Sequence, residues 1–241
     1  MIVVLAPEYL PGGLFPALAR RADLVILADT YQYSRQSYQN RTRVRTPQGW
    51  QWLSVPLLGR QHGRPIRETI VDPRAAWSGS HRRSIQYNYS SAPFYDYYID
   101  PLMEIWDQEW RVLGDLTCRS MEWMADMLAP ATALRRASSL PGAPDTLEAI
   151  CRALGREDVL MPEAQSRRDA ARVSDPHVAT FDLPAYRQNF EGFVPGMSGL
   201  DVLFNYGPES GRLLDAGLHI APMPARSDGR QDAIHPGGDI A

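Results

Sequence analysis

The sequence predicts an α/β protein: a small, mostly parallel or mixed sheet in the N-terminal half and a helical C-terminal half. Residues 2–5 (IVVL) and 24–28 (LVILA) are short β-branched apolar runs bounded by Pro or Asp, the pattern of strands buried on both faces. The segment LPGGLFPALARRA between them is long enough for a crossover helix, which makes the opening β–α–β. From residue 77 onward, apolar side chains return at the helical period.

In a β–α–β opening, ligands sit beyond the carboxyl ends of the strands. Those ends carry Pro7, Glu8 and Tyr9 after the first strand, and Asp29, Thr30 and Gln32 after the second. Residues 31–48 (YQYSRQSYQNRTRVRTPQ) are polar and aromatic and read as a ligand loop. Residues 49–57 (GWQWLSVPL) then read as a strand, with another over 67–71. Helices follow over 77–89 and 101–128, the second with Leu102, Ile105, Trp106, Leu113, Leu116 and Met124 along one stripe. Residues 129–176 are rich in Ala and Arg and punctuated by Pro141, Gly142 and Pro144, with a helix over 145–154 capped by Asp145. The last helix is expected over 200–216. A single domain over 1–215 and a disordered tail over 216–241 complete the expectation.

Of 241 residues 25 are Arg and none is Lys. The missing ε-amine rules out Schiff-base chemistry, the P-loop lysine and the kinase strand lysine. Arginine stays charged, so it forks onto carboxylate or phosphate but does not serve as a general base. A net charge of −3 gives no reason to expect a nucleic-acid duplex or an anionic membrane as partner. The start MIVVLAPEYLPGG has no basic n-region, and no apolar run reaches spanning length, so the expected location is the cytoplasm with no membrane insertion. Cys118 and Cys151 are too few for a disulfide scaffold or a zinc site and fit a reducing compartment.

Several side chains are candidates for chemistry. Asp29 and Glu8, at the ends of parallel strands, would raise one another's pKa if paired; otherwise Asp29 caps a turn and Glu8 is solvated. Asn40 and Arg41 would supply an amide and an anion fork, beside Tyr31, Tyr33 and Tyr38, which equally suit packing. His81, in WSGSHRR, is the best-placed histidine for proton transfer, its flanking arginines holding it neutral; the alternative is a partly exposed residue at a helix start. Residues 87–101 are dense in aromatics and read as packing, and both cysteines read as inert buried thiols. Ser198 is positioned to cap a helix from which Asp201 and Asn205 project on one face. No acidic triad is spaced to hold magnesium, and neither a metal nor a cofactor is expected.

Read in order, PEYLPG (7–12), ADLVILADTYQYSRQSYQNR (22–41), WLSVPL (52–57), W-x-x-x-H with Y-x-x-x-P-F-Y (77–95) and P-x-x-S-x-L-D-V-L-F-N-Y-G (195–207) resemble the WbqC-like family of bacterial proteins. Members often carry Gln before the first Pro, where this chain has Ala6. The resemblance implies a link with surface-polysaccharide (O-antigen) or other specialised biosynthesis, and an activity described as transfer of glycine or a related aminoacyl group. The resulting expectation is an acyl or aminoacyl transferase acting on a sugar-type or other small polar acceptor. In it His81 or Asp29 takes the acceptor proton, Arg41 holds a phosphate or carboxylate, and Gln32, Asn40, Tyr9 and Asp201 bind substrate. The donor would be a carrier-bound thioester or an aminoacyl-tRNA. The alternative is a non-catalytic module that holds a sugar nucleotide or a partner enzyme; the oligomeric state stays open.

Overall fold

The structure is a computed structural model that describes residues 1–223. It opens as β1 (Ile2–Leu5), α1 (Leu14–Ala19) and β2 (Leu24–Leu27), with β1 and β2 parallel and in register from Ile2 opposite Leu24 to Leu5 opposite Leu27. The side chains of both strands are buried on both sides. Val3, Val25 and Leu27 join one core and Ile2, Val4 and Ile26 the other, which is why both strands read as unbroken apolar runs.

The sheet has six strands, because four more come from residues 133–222: β5 (Ala133–Arg136), β6 (Asp158–Pro162), β7 (Asp175–Phe181) and β8 (Leu218–Pro222). Their order is β5-β2-β1-β6-β7-β8, and every pair is parallel except β7 with β8. None of the four stands out in the sequence. β5 is an edge strand, and its Arg136 side chain reaches Asp115 at 2.8 Å instead of filling a core. β8 is the other edge and falls in the expected tail, so the tail is ordered at least through residue 222; its remainder from residue 224 lies outside the described residues.

Residues 31–48 are only partly a loop. Their second half is β3 (Arg41–Thr46), which forms an antiparallel hairpin with β4 (Gly49–Ser54), pairing Arg43 with Trp52 and Arg45 with Trp50. Residues 67–71 form a 3-10 turn (Ile66–Glu68) followed by short bridges rather than a strand. α2 (Trp77–Tyr89) matches the expected span.

The helix expected over 101–128 is two helices, α3 (Tyr95–Asp107) and α4 (Leu113–Leu128). The chain between them leaves the helix because it pairs with the 69–71 segment: Val71 N–H donates to Arg111 C=O at 3.0 Å and Leu113 N–H to Thr69 C=O at 2.8 Å. Trp110 Nε1 closes the end of α3 on the Ile105 carbonyl at 2.6 Å. α5 (Leu147–Leu154) is capped by Thr146, not Asp145, since the Thr146 hydroxyl accepts the Ala149 N–H at 3.3 Å. A short α6 (Glu163–Asp169) follows β6.

The last helical stretch divides into α7 (Gly199–Tyr206) and α8 (Ser210–Gly217) around a 3-10 turn at Gly207–Glu209. Gly207 has φ +50°, and a Cβ there would overlap the Phe94 ring, so this break requires glycine. Ser198 caps α7 as expected, accepting the Leu200 N–H at 3.3 Å. Helices α1, α4 and α7 cover the face of Val3 and Leu27, while α5 and Ala170 cover the face of Ile2 and Val4. Among the described residues no helix is long and apolar enough to cross a membrane.

Candidate functional site

Strand order reverses between β1 and β6. From β1 the chain crosses to β2 through α1 on one face, and from β6 it crosses to β7 through α6 on the other. Connections that leave two adjacent parallel strands in opposite directions open a crevice at the strands' carboxyl ends. A cavity of about 450 Å³ lies there, lined by Leu5 and Ala6 after β1, Pro162 at the end of β6, Gln165 and Arg168 of α6, and Phe181 at the end of β7. Most of its wall is apolar, and Tyr31, Tyr38, Met121, Asp169 and Gly196 also line it.

Glu8 lines this cavity, and among the described residues its carboxyl has no hydrogen-bonding or charged partner. Burial raises its pKa from an ordinary 4.5 to about 7, because the cavity wall solvates the carboxylate worse than water. The backbone that presents it is pinned: Leu10 N–H donates to Ser120 Oγ at 2.7 Å, and the Leu10 carbonyl accepts from Thr42 Oγ1 at 2.8 Å and Ser198 Oγ at 2.9 Å. Leu10 itself has φ +45°, a strained conformation for a branched side chain that these three bonds hold in place. Across the cavity Arg168 is unpaired among the described residues; the neighbouring Glu163 and Asp169 face Arg167 and Arg172 instead. An acid poised near neutrality, an unpaired cation and a mostly apolar wall make a site for a small polar molecule with an anionic part.

The residues expected to converge do so only in part. Tyr9 turns away from the cavity beside Glu8 and meets His81, its hydroxyl 2.8 Å from His81 Nδ1 while it accepts Trp106 Nε1–H at 2.8 Å. His81 is buried against the Trp77 ring rather than partly exposed. Burial pushes its pKa down to about 4, opposed by a backbone hydrogen bond with Ser54, so neutrality comes from burial and not from its arginine neighbours.

Asp29 is a turn cap: its two carboxylate oxygens accept Ser138 N–H at 2.9 Å and Ser138 Oγ–H at 2.6 Å. It does not pair with Glu8. Asn40 braces the hairpin base, donating to the Val55 carbonyl at 2.9 Å and accepting from Tyr33 at 3.1 Å. Arg41 stacks on Trp52, Gln32 is exposed and bridges to Pro65, and Asp201 lies in a separate buried network. Asp29→Asn is therefore expected to lower stability by about 1–3 kcal/mol in urea unfolding, as the capped turn at Ala137–Ser139 loses a charged acceptor. A variant as stable as the parent would contradict the bracing.

Reasoning from the sequence misses Glu8 as a half-buried, partnerless acid, and Arg168 altogether. The signal for Glu8 is an isolated acid at the end of the first strand, in a segment with no cation nearby in sequence. Burial holds the Cys118 thiol well above its ordinary range and raises that of Cys151 to about 11, so neither is a ready nucleophile. Among the described residues no group of three or more His, Cys, Asp or Glu side chains is placed to hold a metal ion.

The mostly parallel sheet with helices on both faces and a cavity at its switch point define an α/β protein with an acid, Glu8, free of any partner among the described residues at that cavity. The chain belongs to the WbqC-like protein family, whose model matches residues 6–213. It is 33% identical over 222 residues to the Mycobacterium tuberculosis (strain ATCC 25618 / H37Rv) protein "Uncharacterized protein Rv1507c", covering 87% of this chain and 95% of that one. No solved structure matches it.

Proposed function

We propose that this protein is an acyl or aminoacyl transferase of the glycine-transfer type, with Glu8 as the group that takes the acceptor proton. The observation that carries this reading is the Glu8 carboxyl, raised to about 7 and without a partner at the switch-point cavity. The acceptor amine or hydroxyl of a sugar-type molecule attacks the donor's acyl carbon, Glu8 accepts its proton, and the thioester or ester bond to the carrier breaks. Glu8 then returns the proton to the departing thiolate or alkoxide. Arg168 holds the anionic part of a substrate. Attack is direct, since the chain has no lysine and both thiols are raised by burial. Surface-polysaccharide or related biosynthesis is the setting this reading takes from family membership.

The test is to offer purified protein glycyl and acyl thioesters and aminoacyl-tRNA against amino-sugar and hydroxyl acceptors, and to follow acceptor mass. Product is expected from the parent, with the rate about 100-fold lower or more in Glu8→Gln. Parental rates in Glu8→Gln overturn the role of Glu8. A second reading, a non-catalytic sugar-nucleotide or partner-binding module, draws on Asp29 and His81, both engaged in bracing contacts. Ligand binding without product across all donors would favour it and sink the transferase.

A further inference from the structure

We propose that the arginine–aromatic face of the β3–β4 hairpin binds the phosphorylated nucleoside portion of a ligand whose remainder enters the Glu8 cavity. The antiparallel register places Arg41, Arg43 and Arg45 on one face of β3, opposite Ser54, Trp52 and Trp50 on β4. The guanidinium of Arg41 lies 4.1 Å over the Trp52 ring and that of Arg43 lies 4.0 Å over Trp50. Tyr38 packs against Trp52 with ring centroids 5.5 Å apart. Two of these rings reach solvent, Trp50 at 43% and Tyr38 at 37% exposure, so aromatic surface is left for a further planar group.

The cations on this face are only partly used. Arg45 is saturated, donating to Gln188 Oε1, Gly49 C=O and Glu191 C=O. Arg41 makes one hydrogen bond, to the Gln36 carbonyl, and Arg43 has no hydrogen-bonding or charged partner among the described residues. Their buried Nε atoms are without acceptors. Arg20, Arg136 and Arg156 each meet an aspartate at 2.7–2.8 Å, whereas neither Arg41 nor Arg43 has a carboxylate partner among the described residues. Stacking on Trp fixes each guanidinium plane, and apart from the Arg41 bond to Gln36 the Nη donors have no acceptor among the described residues, which suits phosphate oxygens.

The hairpin face adjoins the cavity through Tyr38 and Gly196. Gly196, at φ +74°, passes so close that a Cβ would lie 3.2 Å from Arg43 Nη1, and both Gly196 and Tyr38 line the cavity that holds Glu8. A ligand with its phosphates at Arg41 and Arg43 and its base against Trp50 or Tyr38 therefore extends toward Glu8. The proposal rests on the transferase reading only for what the nucleotide carries; of the donors considered there, an aminoacyl-tRNA ends in an adenosine phosphate, and a thioester donor contains one where its carrier is coenzyme A.

The experiment is titration of the full chain with ADP, adenosine and pyrophosphate, read by tryptophan fluorescence and calorimetry. ADP is expected to bind, and to bind at least about tenfold tighter than adenosine or pyrophosphate, with affinity falling as salt rises. Arg43→Ala and Trp50→Ala should each weaken ADP about tenfold, whereas Glu8→Gln should leave it within twofold. Trp50 is exposed, so Trp50→Ala keeps the test sharp if Arg43→Ala unfolds. Failure of ADP to bind, equal binding of ADP and pyrophosphate, or unchanged ADP affinity in Trp50→Ala overturns the proposal. Coenzyme A and a tRNA ending in adenosine identify the source, since the true carrier binds tighter than ADP and equal binding of all three assigns a free nucleotide. ADP binding without transfer would sink the transferase alone, and transfer that persists unchanged in Arg43→Ala and Trp50→Ala would sink this site alone.

Discussion

Glu8→Gln is expected to make the protein more stable at pH 8 and to change its stability far less at pH 5. The folded chain binds the Glu8 proton more tightly than the unfolded chain does, since its pKa is about 7 in the fold against an ordinary 4.5. A raised pKa contributes stability that is fully present below pH 4.5 and is lost as pH rises through about 7. At pH 8 the fold therefore carries an ionised carboxylate with no partner, which glutamine removes. The shift corresponds to roughly 3 kcal/mol at most, reduced by whatever water the cavity admits. At pH 5 the parent is already protonated in the fold, so the two side chains are nearly equivalent. Urea unfolding of both proteins at the two pH values measures the difference, and an equal effect at both would mean that the carboxyl is solvated. A residue whose removal stabilises the fold while abolishing turnover is one kept for chemistry rather than for structure.

Asp201→Ala is expected to cost about 3–5 kcal/mol. Its carboxylate accepts from Tyr89 at 2.9 Å, from Tyr186 at 2.5 Å and from Gln188 Nε2 at 2.8 Å, all buried. Burial raises its pKa, with the three donors acting in the opposite sense. Alanine strands three donors at once and leaves a void among aromatic rings. It also loosens Gln188, which ties the chain at Val194 through two hydrogen bonds and accepts from Arg45 Nε on β3. Asp201→Asn keeps one acceptor oxygen and is expected to lose less than half as much. Urea unfolding supplies both values, and a loss below about 1 kcal/mol for alanine would show that the network is dispensable. Asp201 thus ties the 186–194 segment to β3 through Gln188 and Arg45.

The β–α–β opening and the α2 span were legible because their signals are local. Strands buried on both faces show as unbroken apolar runs, and Ser198 shows as a cap from its own spacing to the helix that follows. β5 and β8 were illegible because an edge strand shows no continuous apolar run, and the break between α3 and α4 because it is made by hydrogen bonds to residues 69–71. Neither feature has a local cause to read.

The site divides the same way. From sequence alone came the absence of lysine, hence of amine chemistry, and the rule that strand ends hold the ligand. Tertiary structure decided which strand ends open onto a cavity and which side chains line it. Asp29 found Ser138 and became a cap, His81 found Tyr9 and became a buried neutral ring, and Glu8 found no partner and gained proton affinity from desolvation. The physical reason is that a side chain's chemistry depends on what desolvates it and what partners it. For Glu8 those surroundings come from Met121 on α4 and from α6, more than a hundred residues away in sequence.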